Sequence, residues 1–464
     1  MSLDEINSWP KSRWIALMAT VLCVHLVFLF GVSPKLSHKI TPSYNQNSAN
    51  DGYQELAENL VNGHGYRFDS DTAPTLMREP GYPLFLAALM LGAGTGITAI
   101  KLANVLMVIV TAWLVMRLAR NISTKPVVVY GSPLLFLLHP GVVIAESRGA
   151  VESLFTLLIV LFLLTLYVAR DEGRWWNYVL SGVVLGAAVS VRSVAMLFPL
   201  FWAIYLLLYE RQRTSWVMIA RNAVLLIVTM FAILLPWIVR NYRLTRKFVP
   251  TASVLGVSAH AGQYINTHLF NGKPFWLLDR EAARERRHLA TELGYPFEDD
   301  VYYQSFYRTE DELKFSKYLM GRVEEEYKRY PLLFLKSLTL NLFNFWFAGK
   351  TWASTGANMI VQLPYLVLAF LGIRVALRRY QWRAIAPLIL FIAYTIAIYA
   401  PILAQARYSV PLIPFMSILA TMALLRPHEN VRSAEKEVST YEVSLDDQLV
   451  TCGAPAGMSR REHR

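Results

Sequence analysis

Trp14–Val32 reads WIALMATVLCVHLVFLFGV, an unbroken apolar run. It matches the roughly 20 helical residues needed to cross the hydrocarbon of a bilayer. Comparable runs follow at Ile97–Met116, Val127–Val143, Leu154–Ala169, Tyr178–Val191, Ala195–Tyr209, Val217–Val239, Gln362–Leu377, Ala384–Ala400 and Tyr408–Leu425. The pattern predicts an all-α, polytopic integral membrane protein with about 10–12 transmembrane helices. Charge supports lipid: only 17% of the 464 residues are charged, against about a quarter in soluble chains. The first run shows no small-residue cleavage pattern and reads as an uncleaved anchor. Cys23, inside a span, and Cys452, in the tail, exclude a disulfide framework. The net charge of +12 fits basic cytoplasmic loops. Since no basic stripe is interleaved with a soluble fold, no nucleic-acid partner is expected.

Lysine and arginine orient the runs. Arg117, Arg120 and Lys125 follow the second, Arg170 and Arg174 the fourth, Arg211, Arg213 and Arg221 the sixth, and Arg374, Arg378, Arg379 and Arg383 the eighth. All fall on one side if the N-terminus is cytoplasmic, as for a bacterial inner-membrane protein whose site faces the periplasm. The expected organisation is then a cytoplasmic N-terminus and first span (1–32), an outer first loop with juxtamembrane helices (33–96), a transmembrane core (97–239), an outer cap (240–330), a C-terminal set (331–425) and a disordered cytoplasmic tail (426–464). Leu84–Leu91 is too short to span and is expected to pack at the outer face. Pro331–Ala348 is apolar but carries Lys336, Asn341 and Asn344, and counting it as a span would put Arg378–Arg383 outside. It reads as a re-entrant or interface-lying helix.

The first outer loop, Ser33–Pro83, is too polar and too shaped for a linker. It carries Asp51, Glu55, Glu58, Asp69, Asp71, Glu79, Arg67 and Arg78. Asp51 stands two residues before the amphipathic run YQELAENLV, where it could cap a helix. Glu55 and Glu58 fit that helix's solvated face, and Asp69 and Asp71 fit a turn. Gly63 or Gly65 can take a left-handed helix cap, and REPGYP forces an extended turn. Other ionisable residues sit at the outer ends of spans, where they are costly unless paired, hydrated or used. These are Glu146, Arg148, Glu152, Arg192, Arg240, Arg243, Arg246, Lys247 and Arg407. Arg148 is a candidate partner for Glu146. His25, inside the first span, reads as a packed or hydrogen-bonded interior histidine. Cations at headgroup depth suit a lipid-linked phosphate, because arginine contacts phosphate oxygens bidentately. A carboxylate facing them can take a proton from a hydroxyl.

Several stretches together resemble the GT-C glycosyltransferases, in the branch similar to bacterial protein O-mannosyltransferases and lipid A aminoarabinose transferases. They are Asp51 with YQELAENLVNGHGY, REPGYPLFLAAL, VESLF, LGAAVSVRS, PWIVRNYRLTRKFVPT with Gly256, and ARYSVPLIPF. The resemblance implies a GT-C type bundle that moves a sugar from a polyprenyl-phosphate donor, with inversion, to a hydroxyl of a glycan, lipid or protein acceptor. It implies Asp51 as general base. Arg78, Arg192, Arg240, Arg243 and Arg407 become candidates for the donor phosphate. Glu152, Glu146, Tyr53 and Tyr82 become candidates for acceptor or loop support. Some relatives use a divalent metal, for which Glu79 and His260 are the first candidates and Asp69, Asp71, His64 and His268 the others. Gly52 follows Asp51 where eukaryotic protein mannosyltransferases have Glu, which weakens a protein-mannosylation reading. The rival functions are a transporter or flippase of lipid-linked sugars, a surface-glycan polymerase or ligase using pyrophosphate-linked donors, and a non-catalytic assembly subunit. A transporter would carry broken helices and charges near the bilayer midplane, whereas apart from His25 these spans read as largely free of ionisable residues.

Overall fold

The computed structural model describes residues 8–32, 51–94, 96–147, 150–269, 271–299, 304–379 and 382–425. The expected tail, Arg148 and the first part of the outer loop lie outside them. Without water to satisfy backbone groups, segments in lipid fold as helices. The membrane part consists of α1 (Lys11–Val27, continued by a π turn to Val32), α3 (Gly81–Ala93), α4 (Ile97–Arg120), α5 (Pro126–Leu138), α6 (Pro140–Ser147), α7 (Val151–Glu172), α8 (Trp175–Val191), α9 (Phe198–Tyr205), α10 (Trp216–Thr245), α15 (Trp352–Arg378), α16 (Trp382–Tyr399) and α17 (Ile413–Met422). Between α1 and α3 lies the loop helix α2 (Tyr53–Val61). The cap comprises α11 (Leu255–His268), α12 (Phe275–Glu292), the antiparallel pair β1 (Phe297–Asp299) and β2 (Gln304–Phe306), α13 (Thr309–Arg329) and α14 (Pro331–Phe347).

Seven of the described helical stretches are long and apolar enough to cross a membrane, or eight if the bent pair α5–α6 is one span. The run Val127–Val143 breaks at His139, where the chain turns through 53° before Pro140. The last run divides into a 3-10 segment, Ala406–Leu412, and the short α17.

Helix α10 shows how sequence selects its environment. Ile219, Leu226, Met230 and Leu234, at helical spacing, are buried against α8. Val224, Val228 and Leu235 on its other face stay exposed, an apolar surface suited to lipid. Helix α7 lies at the centre, with Ile159, Phe162, Leu163 and Leu166 fully buried.

In the cap, α11 and α13 approach so closely that a Cβ at Gly256 would overlap the Ser316 carbonyl. Helix α14 joins cap and bundle: Phe345 is buried in the main bundle core and Asn341 donates to the Ala400 carbonyl at 2.8 Å, just past α16. Asn266 of α11 donates to Ser337 Oγ (2.8 Å) and Asn341 Oδ1 (3.0 Å) and accepts from Asn344 (3.1 Å).

Two glycines of the cap thus give opposite predictions. Gly256→Ala should destabilise the protein by about 1–3 kcal/mol by forcing two helices apart. Gly321→Ala on α13 meets open space and should stabilise by about 0.5–1 kcal/mol through helix propensity. Thermal unfolding of the purified protein in detergent measures both.

Candidate active site

The chain enters α2 through two successive left-handed residues, Asp51 (φ 53°) and Gly52 (φ 80°). Glycine adopts that region freely, and aspartate is among the few side chains that tolerate it. The turn makes Gly52, not Asp51, the N-cap residue of α2, with no side-chain cap bond. The capping role is therefore corrected: the backbone carries the Asp51 carboxylate off the helix axis, and its Oδ2 lies 2.6 Å from Arg407 Nη1. Arg78 Nε donates to the Asp51 carbonyl at 3.0 Å, and its guanidinium lies over Tyr53, which meets Tyr82 edge-on at 5.3 Å.

Three further elements complete the site. Glu152 opens α7, and its Oε1 accepts from Arg192 Nη2 at 2.6 Å. Arg192 follows α8 and also donates to Tyr399 at the end of α16 (3.3 Å). Tyr399 stacks on Tyr408 at 4.6 Å, and Arg192 and Arg407 both lie against Tyr408. Glu79 accepts from the Ser193 amide (3.1 Å) and hydroxyl (2.7 Å). The two ion pairs differ in access. Glu152 and Arg192 are 4% and 11% exposed, whereas Asp51 and Arg407 keep 31% and 40% of their side-chain surface. One pair is fixed in the bundle and the other can exchange partners with solvent or ligand.

Burial would raise the Asp51 carboxyl, but the charges of Arg407 and then Arg78 outweigh it and hold it at about 2. Asp51 is ionised at neutral pH and, while paired, is a weak base.

Residues 77–239 match the family model described as dolichyl-phosphate-mannose-protein mannosyltransferase. That stretch includes Arg78, Glu152 and Arg192 and leaves out Asp51 and Arg407. No curated protein matches the chain in sequence. Among solved structures, the archaeal oligosaccharyltransferase AglB from Archaeoglobus fulgidus, in complex with an inhibitory peptide and a dolichol-phosphate, aligns over 97% of this chain with a TM-score of 0.54 at 12% identity. The chain shares the fold of AglB. The chain spans about half of AglB, 53% of its length. ArnT from Cupriavidus metallidurans, bound to undecaprenyl phosphate, aligns over 89% of this chain and 78% of its own with a TM-score of 0.41 at 14% identity.

On this scaffold the candidates separate. Asp51, Arg78, Arg192, Arg407, Glu152, Tyr53, Tyr82 and Glu79 gather at one end of the bundle. Arg240 is committed to the loop: it donates to the carbonyls of Thr75 (3.1 Å) and Tyr66 (3.4 Å) and stacks on Trp237. Arg243 is exposed and makes no ion pair among the described residues. Glu146 meets His25, 2.9 Å away, deep in the bundle, and His25 also contacts the Leu137 carbonyl. Its partner is thus an interior histidine of the first span, in keeping with the hydrogen-bonded reading of His25, and this ionisable pair lies beside the broken span α5–α6. Asp69 forms a turn by accepting from the Asp71 amide.

Among the described residues no three His, Cys, Asp or Glu side chains could hold one metal ion. Glu79 is bound to Ser193. His260 is pushed down to about 3 by burial and by the charges of Arg286 and Arg322.

Sequence reasoning missed Glu312, whose buried carboxylate accepts from Thr75 Oγ1 (2.7 Å), the Leu76 amide (3.0 Å) and Ser253 Oγ. It also missed Tyr399, Tyr408 and Ser193. Tyr408 adjoins Arg407 in ARYSVP, which was the available signal; Glu312 sits in a charged helix with none.

The sign of the acid response follows from the Asp51 shift. Its folded value lies below the ordinary 3.8, so the stability it contributes is complete above about pH 4 and is lost as pH falls through about 2. The difference in melting temperature between wild type and Arg407→Gln should stay constant from pH 8 to pH 5 and shrink below about pH 4. A difference that already shrinks between pH 7 and pH 5 would place the pair's titration elsewhere.

Proposed function

We propose that this protein is an inverting glycosyltransferase that moves a sugar from a polyprenyl-phosphate carrier to a hydroxyl acceptor. The observation that carries this reading is the exposed Asp51–Arg407 pair with Arg78 and Arg192 beside it, at the end of an apolar bundle. Arginines at headgroup depth match a lipid phosphate. The dolichyl-phosphate sugar in the matched family's description is a donor of that kind. The excess of lysine and arginine at the opposite helix ends supports a site on the outer side of a cytoplasmic membrane.

In the proposed reaction the acceptor oxygen forms a bond to the anomeric carbon. The bond from that carbon to the carrier phosphate breaks, and the electron pair leaves with the phosphate. The acceptor proton passes to Asp51. Inversion puts base and leaving group on opposite faces of the sugar, so Asp51 and Arg407 must part. Arg407 can follow the phosphate, since Asp51 is its single ion-pair partner among the described residues. Arg192 is fixed by Glu152. The parting frees the carboxylate from the charge that depresses it, and a weak base becomes a competent one only when donor is bound. The leaving phosphate needs little protonation, so one carboxylate suffices. The acceptor is a hydroxyl of a glycan, lipid or protein.

A second reading, a carrier of lipid-linked sugars, draws on the His25–Glu146 pair beside the broken span α5–α6. Asp51→Asn separates the two. In proteoliposomes supplied with a panel of polyprenyl-phosphate sugars, the variant should lose transfer by about 10²–10⁴-fold. It should stay folded, losing only the melting temperature that the Asp51–Arg407 pair contributes, as Arg407→Gln does, and bind bare polyprenyl phosphate more tightly, because Arg407 is no longer held. Full transfer by Asp51→Asn would sink the assignment of the base.

A further inference from the structure

We propose that Asp279, on cap helix α12, is a second carboxylate of the site and holds hydroxyl groups of the donor sugar. This rests on the glycosyltransferase reading. Its placement comes from packing. Phe275 and Leu278, in the first turn of α12, are buried with Ala348 and Leu403. The Trp276 amide donates to the Lys350 carbonyl (3.1 Å), and the Ala348 carbonyl accepts from Ala406 (3.1 Å). The start of α12 is thereby docked on the chain that leads into Arg407, and Asp279 is the residue after the buried Leu278.

From there Asp279 lies within electrostatic reach of both Arg407 and Asp51, and of Arg286 and Lys350. It is half-buried, yet makes no hydrogen bond or direct ion pair among the described residues. The other acids around the site differ. Asp51 meets Arg407, Glu152 meets Arg192, Glu79 meets Ser193 and Glu312 meets Thr75 and Ser253. A carboxylate drawn partly out of water with no hydrogen bond, and with its cations only at a distance, is costly, and such groups mark binding sites more often than chance.

The chemistry narrows what it meets. A second anion repels the carrier phosphate, and the nearby arginines disfavour a metal. Sugar hydroxyls are neutral donors, and a carboxylate accepts from them with a charge-assisted bond. Inversion also requires the sugar ring to lie between Asp51 and the phosphate held by Arg407. A group in reach of both but bonded to neither is placed to face that ring.

The experiment compares two probes on the full-length protein in nanodiscs: bare undecaprenyl phosphate and undecaprenyl phosphate carrying each of a panel of hexoses and pentoses. Asp279→Asn and Asp279→Ala should bind the bare carrier within about twofold of wild type. They should bind the preferred sugar-loaded carrier about tenfold or more weakly, as loss of a charged hydrogen bond predicts. KM for the donor should rise more than kcat falls. Equal weakening for both probes, or none, overturns the proposal. So does a wild type that binds bare and loaded carriers alike. Complete loss of transfer with donor affinity intact would make Asp279 the base and overturns it too. Full transfer by Asp51→Asn tells against the base assignment alone, because the binding comparison at Asp279 does not depend on it.

Discussion

The buried Glu312 carboxylate is the constraint on which the site's geometry depends. It accepts from Thr75, Leu76 and Ser253 at once, and Ser253 N returns a bond to the Leu76 carbonyl. Thr309 donates to the Pro74 carbonyl, and Ala73 N to that of Phe306. Residues 73–76 are thus strapped to the cap on both edges, with Arg240 bonding Thr75 from below. Burial raises the Glu312 carboxyl, and the bonds from Ser253, Thr75 and Leu76 oppose that rise. Two residues further along the strap, Arg78 fixes the Asp51 backbone and Glu79 ties to Ser193. Cap, loop and bundle meet through one carboxylate.

The same economy of charge appears at the far end of the bundle. Arg383 pairs with Glu210 at 2.9 Å, and Arg170 donates to the Arg383 carbonyl at 2.7 Å. Charges collect at both ends because the apolar length between them would make an unpaired charge costly. The two ends differ in what remains accessible. The Glu210 network joins helix ends to one another, whereas the Asp51 network leaves an ion pair partly open under a cap.

This division explains what the sequence could reveal. Arg192, Glu152 and Arg407 stand out because each interrupts an apolar run, where an ionisable group demands a reason. Asp51 and Arg78 stand out because the loop around them is dense in turn-forming residues. Glu312 and Asp279 lie in amphipathic helices where a used acid and a solvated one look the same. Arg240 was legible as a cation at a span end, but not as one aimed at carbonyls. Glu146 lies two positions from Arg148 in sequence but meets a histidine of the first span, and long-range partners of this kind leave no local trace. The capping expectation for Asp51 failed on a dihedral angle: with φ of 53° its side chain leaves the helix it precedes.

The charge count of the proposed reaction fits the arrangement. A polyprenyl-phosphate sugar is a phosphodiester with one negative charge, and the released carrier phosphate bears up to two. The second charge appears as Asp51 takes a proton and becomes neutral. Negative charge therefore moves from the carboxylate to the phosphate, and the total facing Arg78, Arg192 and Arg407 does not change. A site that had to gain a cation during turnover would need a mobile domain or an ion. Here the mobile element need be only the Arg407 side chain, which in the resting pair already touches the charge that the reaction removes.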